Sequence, residues 1–338
     1  MRSLVVQTSF IGDVVLTTPL IARMAQDGEV DVIATPLGAS LLRSHPSVTR
    51  LFTYDKRASD RGIGGFLSVA NAARGARVAY LCQGSVRSGA LAFAAGAKVR
   101  AGFDTSAGRW TYTERVGYRD DWHHARRLLS LADNRMAASV EDLASPLIRP
   151  QLFPAVDDLM AVDQLTRHSR RPFVALAPGS AWKTKRWPAF GELAAILAPE
   201  YDIAIIGSRD DAGPAGEIRL RVPREQVVDG IGKLSLLGSA ELIRRSVALV
   251  SNDSSPQHLA SAMGTPTVTV FGPTVPEFGF GPLAPGSITV GNGSLACRPC
   301  DRHGPQSCPL GHWRCMNEIT PAEVASALRS VITRESVR

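Results

Sequence analysis

Short apolar runs rich in Val, Ile and Leu alternate with stretches of helical spacing along most of the chain. Ser3–Thr8 reads as a buried strand, and Val14–Ala25 as the helix after it, with Pro19 required to sit near its first turns or to kink it. Val30–Ala34 and Leu51–Tyr54 read as strands separated by a helix over Leu37–Ser44. Phe66–Arg74, Val78–Leu81, Ser88–Ala95 and Val99–Gly102 continue the alternation. Such a βα series predicts a parallel sheet covered by helices. Between Ser139 and Arg171 the regularity weakens; Pro146, Pro150 and Pro154 interrupt it, and a linker with one short helical stretch is expected there. After Pro172 the pattern restarts with strands at Phe173–Ala177, Ile203–Gly207, Gln226–Val228, Ala248–Ser251 and Thr267–Phe271. Helices are expected at Ala189–Leu197, Ser239–Arg245 and Pro256–Met263. A last helix over Pro321–Ile332 has Thr320 as its cap and Pro at its first turn. The reading is α/β: two Rossmann-like domains, residues 1–160 and 161–338, facing a central cleft. The C-terminal helix is free to pack back on the first domain. Ligands are expected beyond the carboxyl ends of the strands.

Composition changes this picture little. With 338 residues, 44% hydrophobic and 20% charged, the chain is ordinary for two globular domains. No run approaches the ~20 apolar residues that span a bilayer, and the N-terminal stretch, broken by Gln7, Thr8 and Asp13, is a poor signal peptide. The cytoplasm is therefore the expected location. The formal charge of +7 favours acidic partners, and the cations are densest between Lys98 and Arg127, partly offset by Asp104, Glu114, Asp120 and Asp121. No block of contiguous Lys and Arg resembles a nucleic-acid tail.

Chemistry is sought in the strand-to-helix loops. The first, Ser9-Phe10-Ile11-Gly12-Asp13-Val14, lacks GxGxxG, which argues against a nicotinamide or flavin dinucleotide. It places Asp13 at a helix start, as a plain cap or as a general base for a hydroxyl nucleophile. The second loop runs from Ala177 to Pro188, and its Gly179, Ser180, Lys183, Lys185 and Arg186 suit a diphosphate, although GxxxxGK[ST] is absent. The third, Ser251 to His258, opens another helix with Asp253, Ser254 and Ser255; its physics supports a nucleotide grip, while Asp253 alone could be a cap and His258 a packed ring. Four of the five cysteines, Cys297, Cys300, Cys308 and Cys315, fall close together with His303 and His312. Four thiolates can complete a tetrahedral zinc site with no open position for catalysis, and reduced loop thiols are the alternative. Cys82 reads as buried packing.

Taken together, SFIGDVVLTTP, APGSAWKTKRWPAF and SNDSSPQHLASAMGTPTVTVFGPT resemble the glycosyltransferase family 9 lipopolysaccharide heptosyltransferases, and the tail CRPC…CPLGHWRCMNEITPAEV is similar to heptosyltransferase II members. The resemblance implies a GT-B fold, an ADP-L-glycero-D-manno-heptose donor and an inner-core lipopolysaccharide acceptor. It implies Asp13 as catalytic base. Ser180, Lys185, Asp253, Ser254, Ser255 and His258 would form the donor site, with Asp210 or Asp211 at the adenosine ribose. Many members carry Gly where Ser255 stands here.

The mechanism that follows is a single inverting displacement in which fixed cations and dipoles stabilise the departing ADP, so that no cofactor is required for catalysis. The Arg-rich Lys98–Arg127 segment then suits peripheral contact with the anionic inner face of the inner membrane. Three other readings stand beside it. One is a GT-B transferase or epimerase using another nucleotide sugar. Another is a zinc-containing nucleic-acid-binding protein built on residues 297–315, although few aromatics and no compact basic stripe leave no nucleic acid expected. The third is a non-catalytic sugar-nucleotide binder.

Overall fold

The structure is a computed structural model and describes residues 1–336. The chain divides into two compact units, Met1–Phe153 and Pro154–Arg338. The first unit contains β1 (Ser3–Gln7), α1 (Ile11–Ala25), β2 (Val30–Ala34), α2 (Pro36–Leu42), β3 (Arg50–Thr53) and α3 (Gly62–Ala72). It continues with β4 (Val78–Leu81), α4 (Val86–Ala94), β5 (Val99–Phe103), β6 (Glu114–Val116), α5 (His124–Ser130) and α6 (Asn134–Ala138). The second contains α7 (Val156–Thr166), β7 (Phe173–Ala177), α8 (Phe190–Leu197), β8 (Asp202–Ile205), α9 (Ala212–Arg219), β9 (Val227–Asp229) and α10 (Leu236–Arg245). After these come β10 (Leu249–Asn252), α11 (Ser255–Met263), β11 (Thr267–Val270), β12 (Ile288–Val290), α12 (Arg314–Asn317) and α13 (Pro321–Ser336).

Each unit is built on an all-parallel six-stranded sheet, ordered β3-β2-β1-β4-β5-β6 in the first and β12-β11-β10-β7-β8-β9 in the second. Both orders reverse beside the unit's first strand, the position at which open α/β sheets bind ligands. Every residue of β1, β2 and β7 is buried, as a parallel sheet covered on both faces requires. Register does the local placement. Val6 lies opposite Leu81 and Ser251 opposite Ala177, so the loops leaving β1 and β4, and those leaving β7 and β10, start side by side.

Pro19 lies inside α1. The Val15 carbonyl that would have accepted its missing N–H accepts the Thr18 hydroxyl instead, at 2.8 Å. The same hydroxyl oxygen accepts the Gln151 N–H at 2.9 Å, tying the end of the unit to its first helix.

Three expectations are corrected. The helical stretch expected between Ser139 and Arg171 is α7, but it is packed rather than part of a linker: its Asp158 accepts from Ser235 at 2.5 Å and its Asp163 pairs with Arg245 at 2.5 Å. It belongs to the second unit, and the expected division after residue 160 falls inside it. The C-terminal helix packs on its own unit: Val324, Leu328 and Val331 of α13 are fully buried in the second unit's core with Phe190, Leu193 and Val270. Strands β6 and β12 and helices α5, α6 and α9 lie where no element was expected. The two strands are three-residue, partly exposed edge strands with too few apolar positions to show a period.

Candidate active site

In the second unit the chemistry gathers where the sheet reverses between β7 and β10. The loop after β7 runs through Pro178-Gly179-Ser180 into a short 3-10 turn, Lys183–Lys185, which places the Lys185 ammonium 2.6 Å from Asp253 Oδ2. Both side chains are about nine-tenths buried. Asp253 has further partners: Oδ2 also accepts the Thr274 hydroxyl at 2.7 Å, and Oδ1 accepts the Gln257 amide at 2.9 Å. Thr269 donates in turn to Gln257 Oε1 at 3.1 Å. A buried carboxylate fixed by these bonds holds Lys185 in place. The ammonium carries three N–H groups, and its bond to Asp253 leaves others for an anion.

Asn252 fastens the two loops. Its amide donates to the carbonyls of Pro178 and Gly179 at 2.9 and 3.3 Å, and its oxygen accepts the Trp187 N–H at 3.0 Å. Ser180 is buried; its hydroxyl accepts the Trp182 N–H at 3.3 Å and its carbonyl accepts Arg186 Nε at 2.8 Å. Ser254 precedes α11 without making a side-chain cap, which suits that helix start to an anion. Ser255 opens the helix half-buried, and His258 is buried one turn in.

Asp210 and Asp211 differ. Asp210 is exposed, whereas Asp211 Oδ2 accepts the Ser208 N–H and hydroxyl at 2.8 and 2.9 Å. Asp211 also packs so close to Gly179 that a Cβ there would lie 2.1 Å from its Oδ1, which explains the glycine.

The first unit repeats the geometry with other groups. Asp13 is not the cap of α1; that position is Phe10, and Asp13 stands in the first turn. Ser9 donates to Asp13 Oδ2 at 2.6 Å, and His124 Nε2 lies 3.8 Å from Oδ1. Burial pushes the His124 ring below its ordinary pKa, against the pull of Asp13, and Arg127 acts in the same direction as burial. Across the reversal, Gln83 Oε1 gathers the hydroxyls of Thr8, Ser85 and Ser88 at 2.8, 3.1 and 2.7 Å. A pocket of about 440 Å³ opens here, lined among others by Ser9, Phe10, Lys56, Arg57 and Gln83. Burial, with Arg57 and Arg87 nearby, holds the Lys56 ammonium below its ordinary pKa.

Two groups of expected residues look different in place. The arginines between Lys98 and Arg127 are largely engaged within the unit. Arg100 donates to Thr111 O and Ala97 O, Arg126 to Ala137 O, and buried Arg127 to Arg119 O and Asp120 O. The four C-terminal cysteines are free and share one pocket with His312, but among the described residues no three His, Cys, Asp or Glu side chains already stand in ligand geometry. Burial pushes the Cys315 thiol up to about 11, and the neighbouring Cys300 acts in the same direction.

Sequence reasoning missed Gln257, Asn252, Thr274, Gln83 and His124 as working residues. Gln257, one helical turn after Asp253, could have been found by asking what satisfies a buried carboxylate. His124 carried no such signal, being brought to Asp13 only by the packing of α5 on α1.

Two Rossmann-like units, one with a lysine and a helix start at its sheet reversal and the other with a carboxylate, define a GT-B nucleotide-sugar glycosyltransferase. The chain belongs to glycosyltransferase family 9 (heptosyltransferase), whose model matches residues 72–311. It is 28% identical over 357 residues to lipopolysaccharide heptosyltransferase 2 of Escherichia coli K12, covering 99% of each chain. It is 29% identical over 360 residues to the Salmonella typhimurium enzyme of the same name, covering all of both. The solved E. coli ADP-heptose lps heptosyltransferase II matches with a TM-score of 0.79 at 26% identity, over 99% of this chain and all of that one. Among the described residues no helix is long and apolar enough to cross a membrane.

Proposed function

We propose that the protein transfers a heptose from ADP-L-glycero-D-manno-heptose to an inner-core lipopolysaccharide acceptor with inversion at the anomeric carbon. The observation that carries this reading is the buried Lys185–Asp253 pair beside the start of α11 in a family 9 chain. Lys185 neutralises the donor diphosphate, aided by the amides of the Gly179–Ser180 loop and of the α11 start. Asp253 acts as a positioning residue, through Lys185. Asp211, which lies against Gly179, is the better placed of the two candidates for the adenosine ribose.

The acceptor hydroxyl oxygen attacks C1 of the heptose as the C1–O bond to the β-phosphate breaks. ADP departs with the bonding pair, and the hydroxyl proton passes to Asp13. Ser9 keeps one Asp13 oxygen hydrogen-bonded and leaves the other for the proton. The cationic wall of Lys56 and Arg57 suits a phosphorylated or carboxylated acceptor sugar.

Contact with an anionic membrane belongs to the same proposal. Exposed Phe93 and Trp110 lie by sequence among the cations of the first unit, and Arg100 sits 5.3 Å over the Phe93 ring. The direct test is incubation with ADP-heptose and truncated core acceptors, read by mass spectrometry. Mass gain by one heptose supports the reading, and gain only with a UDP-sugar overturns it. Vesicle binding that ignores salt would remove the membrane contact.

A further inference from the structure

We propose that Cys297, Cys300, Cys308 and Cys315 hold one thiophilic divalent cation, zinc(II) by preference, as a structural centre that fixes the loop closing over Lys185. The four thiols line a single pocket of about 290 Å³. The backbone around Cys308 turns sharply. Gly311 (φ 70°) and Trp313 (φ 53°) both adopt left-handed conformations, and Trp313 is the non-glycine residue among those described that does so. These residues close a tight turn in which the Cys308 carbonyl accepts the Gly311 N–H at 3.0 Å, so that Cys308 is brought back to the pocket shared with Cys297, Cys300 and Cys315.

His312 supports the sulfur ligand set by its tautomer. Its Nδ1 accepts the Arg314 N–H at 3.1 Å, so in the neutral ring the proton sits on Nε2. Nε2 then donates to Cys297 Sγ, 3.8 Å away. His312 is thus a second-layer donor that steadies a thiolate, and four sulfurs remain as ligands. A divalent ion with four thiolates carries two negative charges, and the Arg298 guanidinium lies within electrostatic reach of Cys297, Cys300 and Cys315 to offset them. On loading, each thiol gives up its proton and the sulfurs draw together around the ion.

The loop so fixed is the one that seats the lysine turn. Thr184 donates to Pro305 O, Gln306 donates to Ala181 O at 3.1 Å, and Trp182 stacks on His303 at 5.6 Å. Gly304 packs on Lys185 itself, where a Cβ would come within 3.2 Å of the lysine Cε. The metal site stands apart from the transferase reading; its effect on donor binding rests on that reading.

The test uses the full chain, purified reduced and without metal-affinity steps or chelator. Metal analysis by plasma mass spectrometry should find about one zinc per chain, and iron in its place would overturn the preference for zinc. Cys308→Ser should lose the ion, whereas His312→Gln should retain it with affinity lowered about 10- to 100-fold. Because a cysteine variant can fail to fold, the natural chain is also stripped with a mercurial, reduced, and titrated with cobalt(II). Thiolate-to-cobalt charge-transfer absorption is expected, with the intensity of a tetrahedral four-sulfur site. Absence of metal together with absence of that absorption overturns the site, as does finding the cysteines paired as disulfides. Stripping should weaken ADP binding, measured by calorimetry, about tenfold or more, with recovery on adding zinc. Unchanged ADP affinity would overturn the positioning role. Failure of the intact, metal-loaded chain to bind ADP would count against the donor reading and leave the metal site untouched.

Discussion

The first unit places a carboxylate, Asp13, after the strand beside which its sheet reverses; the second places a lysine after the corresponding strand and uses a carboxylate to hold it. Identical strand orders thus present opposite charges at the same topological position. The environments differ as much as the charges. Asp13 has one strong partner, Ser9, and remains partly exposed, which suits the base role proposed for it. Asp253 accepts three hydrogen bonds in a buried setting, one of them from Lys185. The same side chain is lightly held in one unit and tightly bracketed in the other.

The largest expected effect separates the two carboxylates. Asp13→Ala should lower kcat by about 10²–10⁴-fold while ADP affinity stays as it was. Unchanged turnover with purified acceptor would break the contrast. Next comes the pair in the second unit. Lys185→Ala leaves a buried carboxylate unmatched and should destabilise by about 3–5 kcal/mol in chemical denaturation, with ADP binding lost. Replacing both partners, Lys185→Met with Asp253→Asn, keeps an acceptor for the Gln257 amide or the Thr274 hydroxyl and should recover part of the stability and none of the ADP affinity. Recovery of ADP binding in that double variant would remove Lys185 from the donor grip.

Acid should distinguish the units too. His45 of the first unit is buried, and burial alone pushes its ring down to about 4. Its folded-state pKa lies below the unfolded one near 6.5, so its contribution is complete above that value and is lost as pH falls from about 6.5 toward 4. Thermal unfolding followed across that window should show the loss, and His45→Gln should flatten it. A smaller effect is expected at the fastening between the second unit's loops. Asn252→Ala strands the Trp187 N–H and two carbonyls, and should destabilise by about 1–3 kcal/mol while weakening ADP binding. The smallest is Thr18→Val in the first unit, about 1 kcal/mol, since Val15 O and the Gln151 N–H both lose a partner.

The strands that lead to the site were readable because parallel, fully buried strands are written as apolar runs, and Phe173–Ala177 is recovered residue for residue. The loops were readable as polar, glycine-bearing breaks after those strands. Partner choice was not. Nothing in SNDSSPQH shows that Asp253 faces Lys185, because that contact spans 68 positions and is made by register between β7 and β10. The start of α1 was read three residues late, since Phe10-Ile11-Gly12 carries no capping side chain. The short edge strands β6 and β12 draw their stability from a neighbour rather than from their own pattern.

The contacts between the lysine turn and the segment after residue 297 impose an order of assembly during synthesis. Ala181 finds Gln306 125 positions later in the chain, and the loop after β11 is gathered by Arg298, which reaches the carbonyls of Phe271, Gly272, Thr274 and Asn292. A ribosome adds residues N-terminal first, at about 5–20 per second, so the first unit can fold while the lysine turn still waits for its clasp. The seat of the lysine turn becomes complete only after residues 298–306 have left the exit tunnel. A nascent chain stalled before residue 298 would have Asp13 in place and the Lys185 turn still without its clasp.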